Sequence, residues 1–521
     1  MAVLHKILLT TSGLGNRLGE LTNFTNKSLI RVGKKPSISY IIEKYPEDVE
    51  IVVTLGHHGN QVRDFLDLVY PTRKFTFVTV DKYEGTGSSL LYSMLCARSH
   101  LQCPFIFHSC DTITFDEIPL PSSNWCAGVK QEDSSPYRTH NVSNKKLIKI
   151  NDKGSSHFDR IHIGLIGIHS YEEFWKKAEL LYNSNPENSQ LSDCHVINEL
   201  LTENHNFISL EFSSWLDIGN ITALEKARKE IPDHFHLLDK VDESIFIFDK
   251  FVVKFFFDEA VIKNRVERAK NLKGIVPNIT GIKLNFYRYD YVEGVPLSTT
   301  INTIKFRNLL DWATTNVWKP LGSSDGAYRR CQSFYFQKSE ARIKKFLADS
   351  GIQDTTQTIN GVVVPPVLET LKSIPLNALC RRETFGFHGD FILENIIDTG
   401  NDFSLIDWRQ DFGGSIEGGD VYYDLAKLNH NLIFNHEVVN KGLFEIKDDG
   451  NNIRCDILMS SLMMECQAIL HTFLLEKKLS RYTVDLLTPL IWLNMSPLHE
   501  YPINTFLFYF GKYKLSRVLI P

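Results

Sequence analysis

Two groups of residues have the types and spacing needed for work on phosphate chains. Ser12-Gly13-Leu14-Gly15-Asn16-Arg17-Leu18 follows an apolar run at residues 4–11, and Lys27 comes ten residues after Arg17. Glycines let backbone N–H groups approach a phosphate chain without a Cβ in the way. Arg17 and Lys27 are placed to neutralise one triphosphate from two sides. By itself the glycine segment reads equally well as a plain turn; the two cations and the stretch 31–40 give it weight. The second group is Phe387-His388-Gly389-Asp390, with Asn395 five residues after the aspartate and Asp407-Trp408 twelve residues beyond Asn395. An aspartate, an asparagine and a second aspartate across a short hairpin suit phosphoryl transfer. In that chemistry Asp390 accepts or orients a substrate hydroxyl, and Asn395 and Asp407 hold the Mg2+ ions that bridge the phosphates of ATP.

Each group needs elements to hold it. The run at 4–11 reads as a buried strand; 51–55, 75–80 and 105–109 read as further strands, with helices at 36–44 and 88–99. Strands alternating with helices predict an α/β Rossmann-like domain on a mixed, mostly parallel sheet. An alternating segment at 162–168 and a charged helix at 171–182 continue the pattern, and Ile231-Pro232-Asp233 breaks it. The expected domains are therefore 1–232 and 233–521. Past the break, a Phe-, Val- and Ile-rich hairpin at 244–257, a helix at 260–272 and a strand at 284–291 precede long helical stretches from 301 onward. This second half reads as α+β and bilobal, with a small sheet lobe and a larger helical lobe.

Further segments join the first group in order. Glu84-Gly85-Thr86-Gly87-Ser88 is a glycine loop before a helix, Asp111 closes a strand, and Asp217 lies within Trp215-Leu216-Asp217-Ile218-Gly219. Taken singly, Asp111 reads equally as a strand-end cap and Asp217 as a helix N-cap. Together, residues 5–230 resemble the sugar-nucleotide pyrophosphorylase (nucleotidyltransferase) superfamily. The resemblance implies that Ser12, Gly13, Gly15, Gly85, Thr86 and Gly87 bind nucleotide, that Arg17 and Lys27 are catalytic, and that Asp111 and Asp217 share Mg2+. In such a reaction a phosphate monoester attacks the α-phosphorus of a nucleoside triphosphate and pyrophosphate leaves in line. Two departures stand out: Thr10-Thr11-Ser12 replaces a pair of small residues, and Asn26 stands where proline usually precedes the lysine.

The second group, over about residues 240–430, is similar to the aminoglycoside phosphotransferase and choline kinase family, with its HGDxxxxN and IDW segments. That similarity implies a strand lysine gripping the ATP phosphates, for which Lys254 stands in Val252-Val253-Lys254-Phe255, and a helix glutamate holding it, Glu267 before Glu259. Alone, Lys254 reads equally as a solvated strand edge. It also implies a hinge at 289–297 and a structural carboxylate at Asp424. No GxGxxG precedes Lys254.

Composition narrows the class. Among 521 residues, 43% are hydrophobic and 23% charged, with a formal charge of −5, so no overall basic field invites nucleic acid. No apolar run reaches membrane-spanning length, and the nine cysteines are scattered without a CxxC pair, which points to a cytoplasmic enzyme with reduced thiols. Cys194-His195 beside Asp193 lacks metal-ligand spacing, His57-His58 reads as solvent-facing, and the aromatic segment 490–510 reads as helical core. The expected activity is bifunctional. A sugar or polyol is phosphorylated with ATP, then coupled to a nucleotide from CTP or UTP, for surface (capsule) polysaccharide synthesis. Choline or another amino alcohol is the alternative acceptor, and a nucleotide-binding regulatory or scaffold protein the alternative of another class. A homo-oligomer stays open.

Overall fold

The structure, a computed structural model, describes residues 5–131, 133–232, 240–450 and 452–519; Asp233 of the expected boundary lies outside them. Backbone contacts divide the chain into two units, Met1–Ile262 with Thr280–Tyr291, and Lys263–Ile279 with Val292–Pro521.

In the first unit, strands β1 (Lys6–Thr10), β2 (Ile51–Leu55), β3 (Phe75–Thr79), β4 (Phe105–Ser109), β5 (Trp125–Val129), β6 (Thr139–Ser143), β7 (Lys146–Asn151), β8 (Arg160–Ile168) and β9 (Ile208–Phe212) form one sheet. Their order is β3-β2-β1-β4-β8-β5-β9-β7-β6. The first four strands run parallel, whereas β8 lies antiparallel to β4 and β5. The sheet is thus mixed, parallel through these four strands and again where β9 pairs β5, and antiparallel elsewhere. Its early strands are joined through helices α1 (Ser37–Ile42), α2 (Gly59–Val69) and α3 (Leu90–Cys96), the connection that parallel pairing requires. By contrast β6 and β7 meet through Asn144 and Lys145, both at positive φ, which is a hairpin turn.

Ile7, Leu8 and Leu9 are fully buried because β1 is covered on both faces. Ile7 and Leu9 pack with Ile38 and Val62, and Leu8 with Leu91, Met94, Phe174 and Trp175. The latter two residues belong to α4 (Tyr171–Ser184), which with α5 (Asp193–Thr202) closes that layer. From β1 the chain moves to β2 and β3 on one side and returns to β4 on the other. The carboxyl ends of β1 and β4, where Thr10 pairs with Ser109, form a topological switch point open to a ligand. A final helix, α6 (Ile221–Glu230), is capped by Asn220, whose side chain accepts from the Ala223 N–H (3.0 Å).

The small sheet, assigned from sequence to the second domain, joins the first unit instead. Strands β10 (Glu243–Ile247), β11 (Phe251–Phe256), β12 (Ile279–Lys283) and β13 (Phe286–Asp290) run in the order β10-β11-β13-β12. Phe246, Val253, Phe255 and Phe286 share one core with Phe65 and Leu66 of α2. The rings of Phe65 and Phe246 are 5.5 Å apart, and Arg288 donates to the Leu68 carbonyl (2.7 Å). The difference from the 232/233 boundary has a plain cause: the apolar face of this sheet needs cover, and α2 supplies it.

Helix α7 (Glu259–Asn271) leads into the second unit, which holds α8 (Thr303–Asn316), α9 (Asp325–Gln332), α10 (Lys338–Ser350), α11 (Val421–Ile433), α12 (Ser461–Glu476), α13 (Arg481–Met495) and α14 (Ile503–Leu519). Asp390 precedes and Asp407 follows the hairpin of β14 (Ile396–Asp398) and β15 (Phe403–Leu405). The stretch read as helical also contains a four-stranded sheet, built from Gln357–Ile359, Val362–Val364, Phe444–Asp448 and Asn452–Ile457. Trp492, Phe506, Phe508, Tyr509 and Phe510 are buried, in keeping with the helical-core reading. The loop at 387–390 is held from α11, where buried Asp424 accepts from the His388 and Gly389 N–H groups (2.7 Å each) and from the Trp318 indole (3.1 Å). No helix among the described residues is long and apolar enough to cross a membrane.

Phe246→Ala is expected to destabilise the first unit by about 3–5 kcal/mol, the usual cost of deleting a buried ring. Chemical denaturation of the full chain measures it, and a loss below about 1 kcal/mol would remove the small sheet from this core. In the second unit, burial holds the His388 imidazole down at about 4 against an ordinary 6.5. A depressed histidine contributes stability that is complete above its unfolded value and is lost as pH falls through its folded one. Between pH 6.5 and 4, wild type should therefore lose about 3 kcal/mol more than His388→Gln in urea titrations. Parallel declines would clear the imidazole of this role.

Candidate functional site

At the switch point the turn after β1 and the end of β4 face one another. Gly15 has φ 74°, and a side chain there would press on Thr22 and Lys27, so the turn needs glycine. Gly13 has open space where a Cβ would stand. Lys27 is fixed by its neighbour. Buried Asn26 donates to the carbonyls of Thr11 (2.9 Å) and His57 (2.6 Å) and accepts from the Ser28 N–H (2.9 Å). A proline could make none of these side-chain bonds, so the departure at Asn26 exchanges ring rigidity for a polar clamp. His57, expected to face solvent, donates to the Thr22 carbonyl (2.9 Å) and steadies the same turn.

The four charged residues singled out in the first group come together. Lys27 Nζ is ion-paired with Asp111 Oδ2, and Arg17 Nη2 stands 4.0 Å from the same oxygen. A Cβ on Gly219 would lie 2.9 Å from Asp217 Oδ1, 3.0 Å from Arg17 Nη2 and 3.1 Å from Asp111 Oδ2, so these groups surround one glycine. Its backbone N–H donates to Asp217 Oδ1 (2.7 Å). Asp217 is brought opposite Asp111 by the pairing of Leu216–Asp217 with Thr112–Ile113. Burial would raise the Asp111 carboxyl, yet Lys27, the Ser109 hydroxyl and Arg17 hold it well below the usual carboxylate range. Asp217 goes the other way, pushed up by burial and then by the charge of Asp111. Burial would lower the Lys27 ammonium, but Asp111 and Cys110 leave it above its ordinary value.

A cleft of about 440 Å³ opens here, lined by Ser12, Gly13, Gly15, Arg17, Lys27 and Gly219 among others. Gly85, Thr86 and Gly87 do not line it; their flanks, Tyr83, Ser88 and Ser89, do. Gly85 and Gly87 have φ 72° and 86°, which turn the loop so that Ser89 caps α3 by accepting from the Tyr92 N–H (3.1 Å). Several site neighbours carried no motif. Tyr137 donates to Asp217 Oδ2 (2.9 Å) and packs edge-on against Trp215. Lys153 is lowered by burial and then by the charges of Arg17 and Arg138.

In the second unit Asn395 Nδ2 donates to Asp390 Oδ2 (3.0 Å), and Asp407 is near enough to push the Asp390 carboxyl up. Burial would raise Asp390, but Lys427 of α11, 2.7 Å from Asp390 Oδ1, holds it below the ordinary value. Asp407 has φ 59° and is ion-paired with Arg265 (2.5 Å). Neither cation carried a motif. Lys427 lies three residues past Asp424, on the same helix face. Lys254 is buried on β11, opposite Ile245 and Tyr287. Glu267 is half-exposed and pairs with Lys270 (2.5 Å).

The oxygen donors of Asp111 with Asp217, and of Asn395 with Asp407, fit a hard cation such as Mg2+. His162, Asp193 and Cys194 also bring one ligand atom each within 4.8 Å of one another. Burial would lower His162, but Cys194 and Asp193 raise it to about 10, and Arg138 bonds Ser192 alongside. Charge there is already balanced from within the protein. His195 instead completes the capping box of α5 with Ser192.

No family model matches the chain. Two curated proteins, each named "Bifunctional protein GlmU", align with about a fifth of it. That from Methanococcus vannielii is 28% identical over 112 residues, 21% of this chain and 25% of the relative, and that from Methanococcus maripaludis 28% identical over 111 residues, 21% and 26%. The alignment thus spans about a quarter of these relatives' length. Among solved structures, the CTP:phosphocholine cytidylyltransferase LicC of Streptococcus pneumoniae is 22% identical and covers 44% of this chain and 100% of its own, with a TM-score of 0.38. A glucose-1-phosphate thymidylyltransferase from Bacillus anthracis, described as putative and bound to sucrose, is 21% identical over 46% of this chain and 98% of its own, with a TM-score of 0.38. The inositol-1-phosphate CTP transferase of T. maritima is 16% identical over 44% and 97%, with a TM-score of 0.36.

Proposed function

We propose that the first unit is a nucleotidyltransferase and the second carries a small-molecule kinase centre. A sugar or polyol hydroxyl is phosphorylated with ATP, and the phosphate ester then receives a nucleotidyl group from CTP or UTP with release of pyrophosphate. The observation that carries this reading is the convergence of Arg17, Lys27, Asp111 and Asp217 around Gly219, at the carboxyl ends of two parallel strands. Two acids and two bases against a glycine-lined cleft match a triphosphate substrate better than a neutral one.

In the transferase step the amides of Ser12 and Gly13 face the triphosphate, and Arg17 and Lys27 stabilise negative charge on the departing pyrophosphate. Asp111 with Asp217, and in the second unit Asn395 with Asp407, would hold Mg2+, which would supply charge neutralisation of the phosphate oxygens. Asp390, kept ionised by Lys427, accepts the proton of the attacking hydroxyl. The product is a nucleotide-activated compound, for which surface polysaccharide synthesis is the proposed use. A second reading rests on a specific observation: Lys427 and Arg265 occupy Asp390 and Asp407, as they would in a unit that binds nucleotide and regulates without transfer.

Lys27→Ala and Asp111→Ala should each lower pyrophosphate release by about 100-fold or more while leaving ADP formation unchanged. Asp390→Ala should abolish ADP formation and spare nucleotidyl transfer to a supplied phosphate ester. Coupled assays of pyrophosphate and ADP on the full chain check both. Loss of both activities in a folded single variant would show that the two centres are not independent, and ADP formation that survives Asp390→Ala would remove that residue from catalysis.

A further inference from the structure

Cations gather beside the loop that carries Asp390. The helix formed by α9 and α10 is interrupted by a π-turn at Ser333–Gln337, a feature concentrated at functional sites because it gives up regular hydrogen bonding. The π-turn carries Phe334, and Lys338 follows it directly. Lys338 Nζ stands 4.1 Å from the centre of the Phe334 ring, and the guanidinium of Arg409 stands 5.0 Å from the same centre. Arg409 is fixed against the Asp390 loop, its N–H donating to the His388 carbonyl (3.0 Å) and its Nε to the Asp411 carbonyl (3.1 Å). Arg342, one turn beyond Lys338, donates to the Asn494 carbonyl (2.9 Å). Lys427 completes the group at Asp390.

Of Lys338, Arg342, Arg409 and Lys427, only Lys427 has an ion pair among the described residues, and Asp411 is the carboxylate that acts on Lys338. Burial pushes the Lys338 ammonium down to about 6, and Arg409, Arg342 and Lys427 add to the depression. An anion placed among these groups would keep the proton on Lys338 and balance the guanidinium charges of Arg409 and Arg342.

We propose that the acceptor phosphorylated at Asp390 already carries an anionic group, a phosphate ester or a carboxylate, received by Lys338, Arg342 and Arg409. The proposal rests on the reading of Asp390 as the hydroxyl-binding carboxylate. It selects an acidic sugar or polyol derivative and disfavours a cationic amino alcohol, which the same cations repel. In the transfer, the bond from the γ-phosphorus of ATP to its β,γ-bridging oxygen breaks and ADP leaves with the bonding pair. A bond forms from the acceptor oxygen to the γ-phosphorus, and the hydroxyl proton passes to Asp390 and on to solvent.

Two measurements on the full chain test it. First, Lys338 is acylated at neutral pH and quantified by peptide mass spectrometry, with and without inorganic phosphate. Phosphate should slow labelling of Lys338 by about tenfold, the worth of one charge-assisted hydrogen bond, whereas neutral glycerol should not; unchanged labelling overturns the anion site. Second, ADP release is followed with matched acceptors, each sugar or polyol beside its phosphate or carboxylate derivative and each amino alcohol. The anionic member of a pair should be preferred. Lys338→Met should raise its KM by about tenfold with little change in kcat, and Lys338→Arg should restore it. Preference for neutral or cationic acceptors overturns the proposal and leaves the kinase reading standing. Absence of ADP from every pair, with Asp390→Asn indistinguishable from wild type, overturns the kinase reading and this proposal together.

Discussion

The ion pair of Lys27 with Asp111 is the contact on which the first unit's site depends, because it ties the segment that follows β1 to the residue that follows β4. Asp111 follows β4 and Lys27 follows the turn after β1, so the pair closes the switch point from above. Both groups are largely buried, and breaking such a pair leaves an uncompensated charge that costs several kcal/mol, of order 3–5. The surrounding polar contacts follow from that requirement. Asn26 accepts from the Ser28 N–H next to Lys27, Ser109 donates to the second Asp111 oxygen, and Tyr137 with the Gly219 amide holds Asp217. The result is a firmly ionised Asp111 beside an Asp217 whose charge is resisted.

The second unit solves a similar problem with a different anchor. Asp424 enters the interior from α11, stripped of water, and its carboxyl is pushed up to about 6 by burial. It is tolerated because the amides of His388 and Gly389 and the Trp318 indole all point at it. Those same bonds set the direction of the chain into Asp390. Arg268 supports the loop from the other side, donating to the carbonyls of Phe387 (2.5 Å) and Arg409. The loop is thus over-determined at its backbone, while the side chains of Asp390 and Asp407 are left to charged neighbours.

Much of the fold was legible because short-range physics decided it. The strands at 51–55 and 105–109 and the helix at 171–182 appear almost where their apolar spacing predicts. The acidic and basic residues around Gly219 were legible only as an ordered set through the family resemblance, since singly Asp111 and Asp217 read as ordinary caps. Longer-range features were not. The direction of β8 and the sheet that includes Asn452–Ile457 depend on partners far along the chain. The small sheet of β10 to β13 looked like the start of a new domain because a proline break precedes it, yet its apolar face was completed by α2.

By itself the amino-acid order determined which groups are available for chemistry, where strands and helices begin, and that two separate sets of acids follow glycine-containing turns. Those properties are local, set by side-chain type, glycine freedom and hydrophobic period. Only the tertiary structure decided what each charge faces: Lys27 on Asp111, Lys427 on Asp390, Arg265 on Asp407, Glu267 on Lys270, and Lys338 beside Arg409 over Phe334. Electrostatic energy depends on distance and on the water removed between groups, and most of these partners lie far apart in sequence.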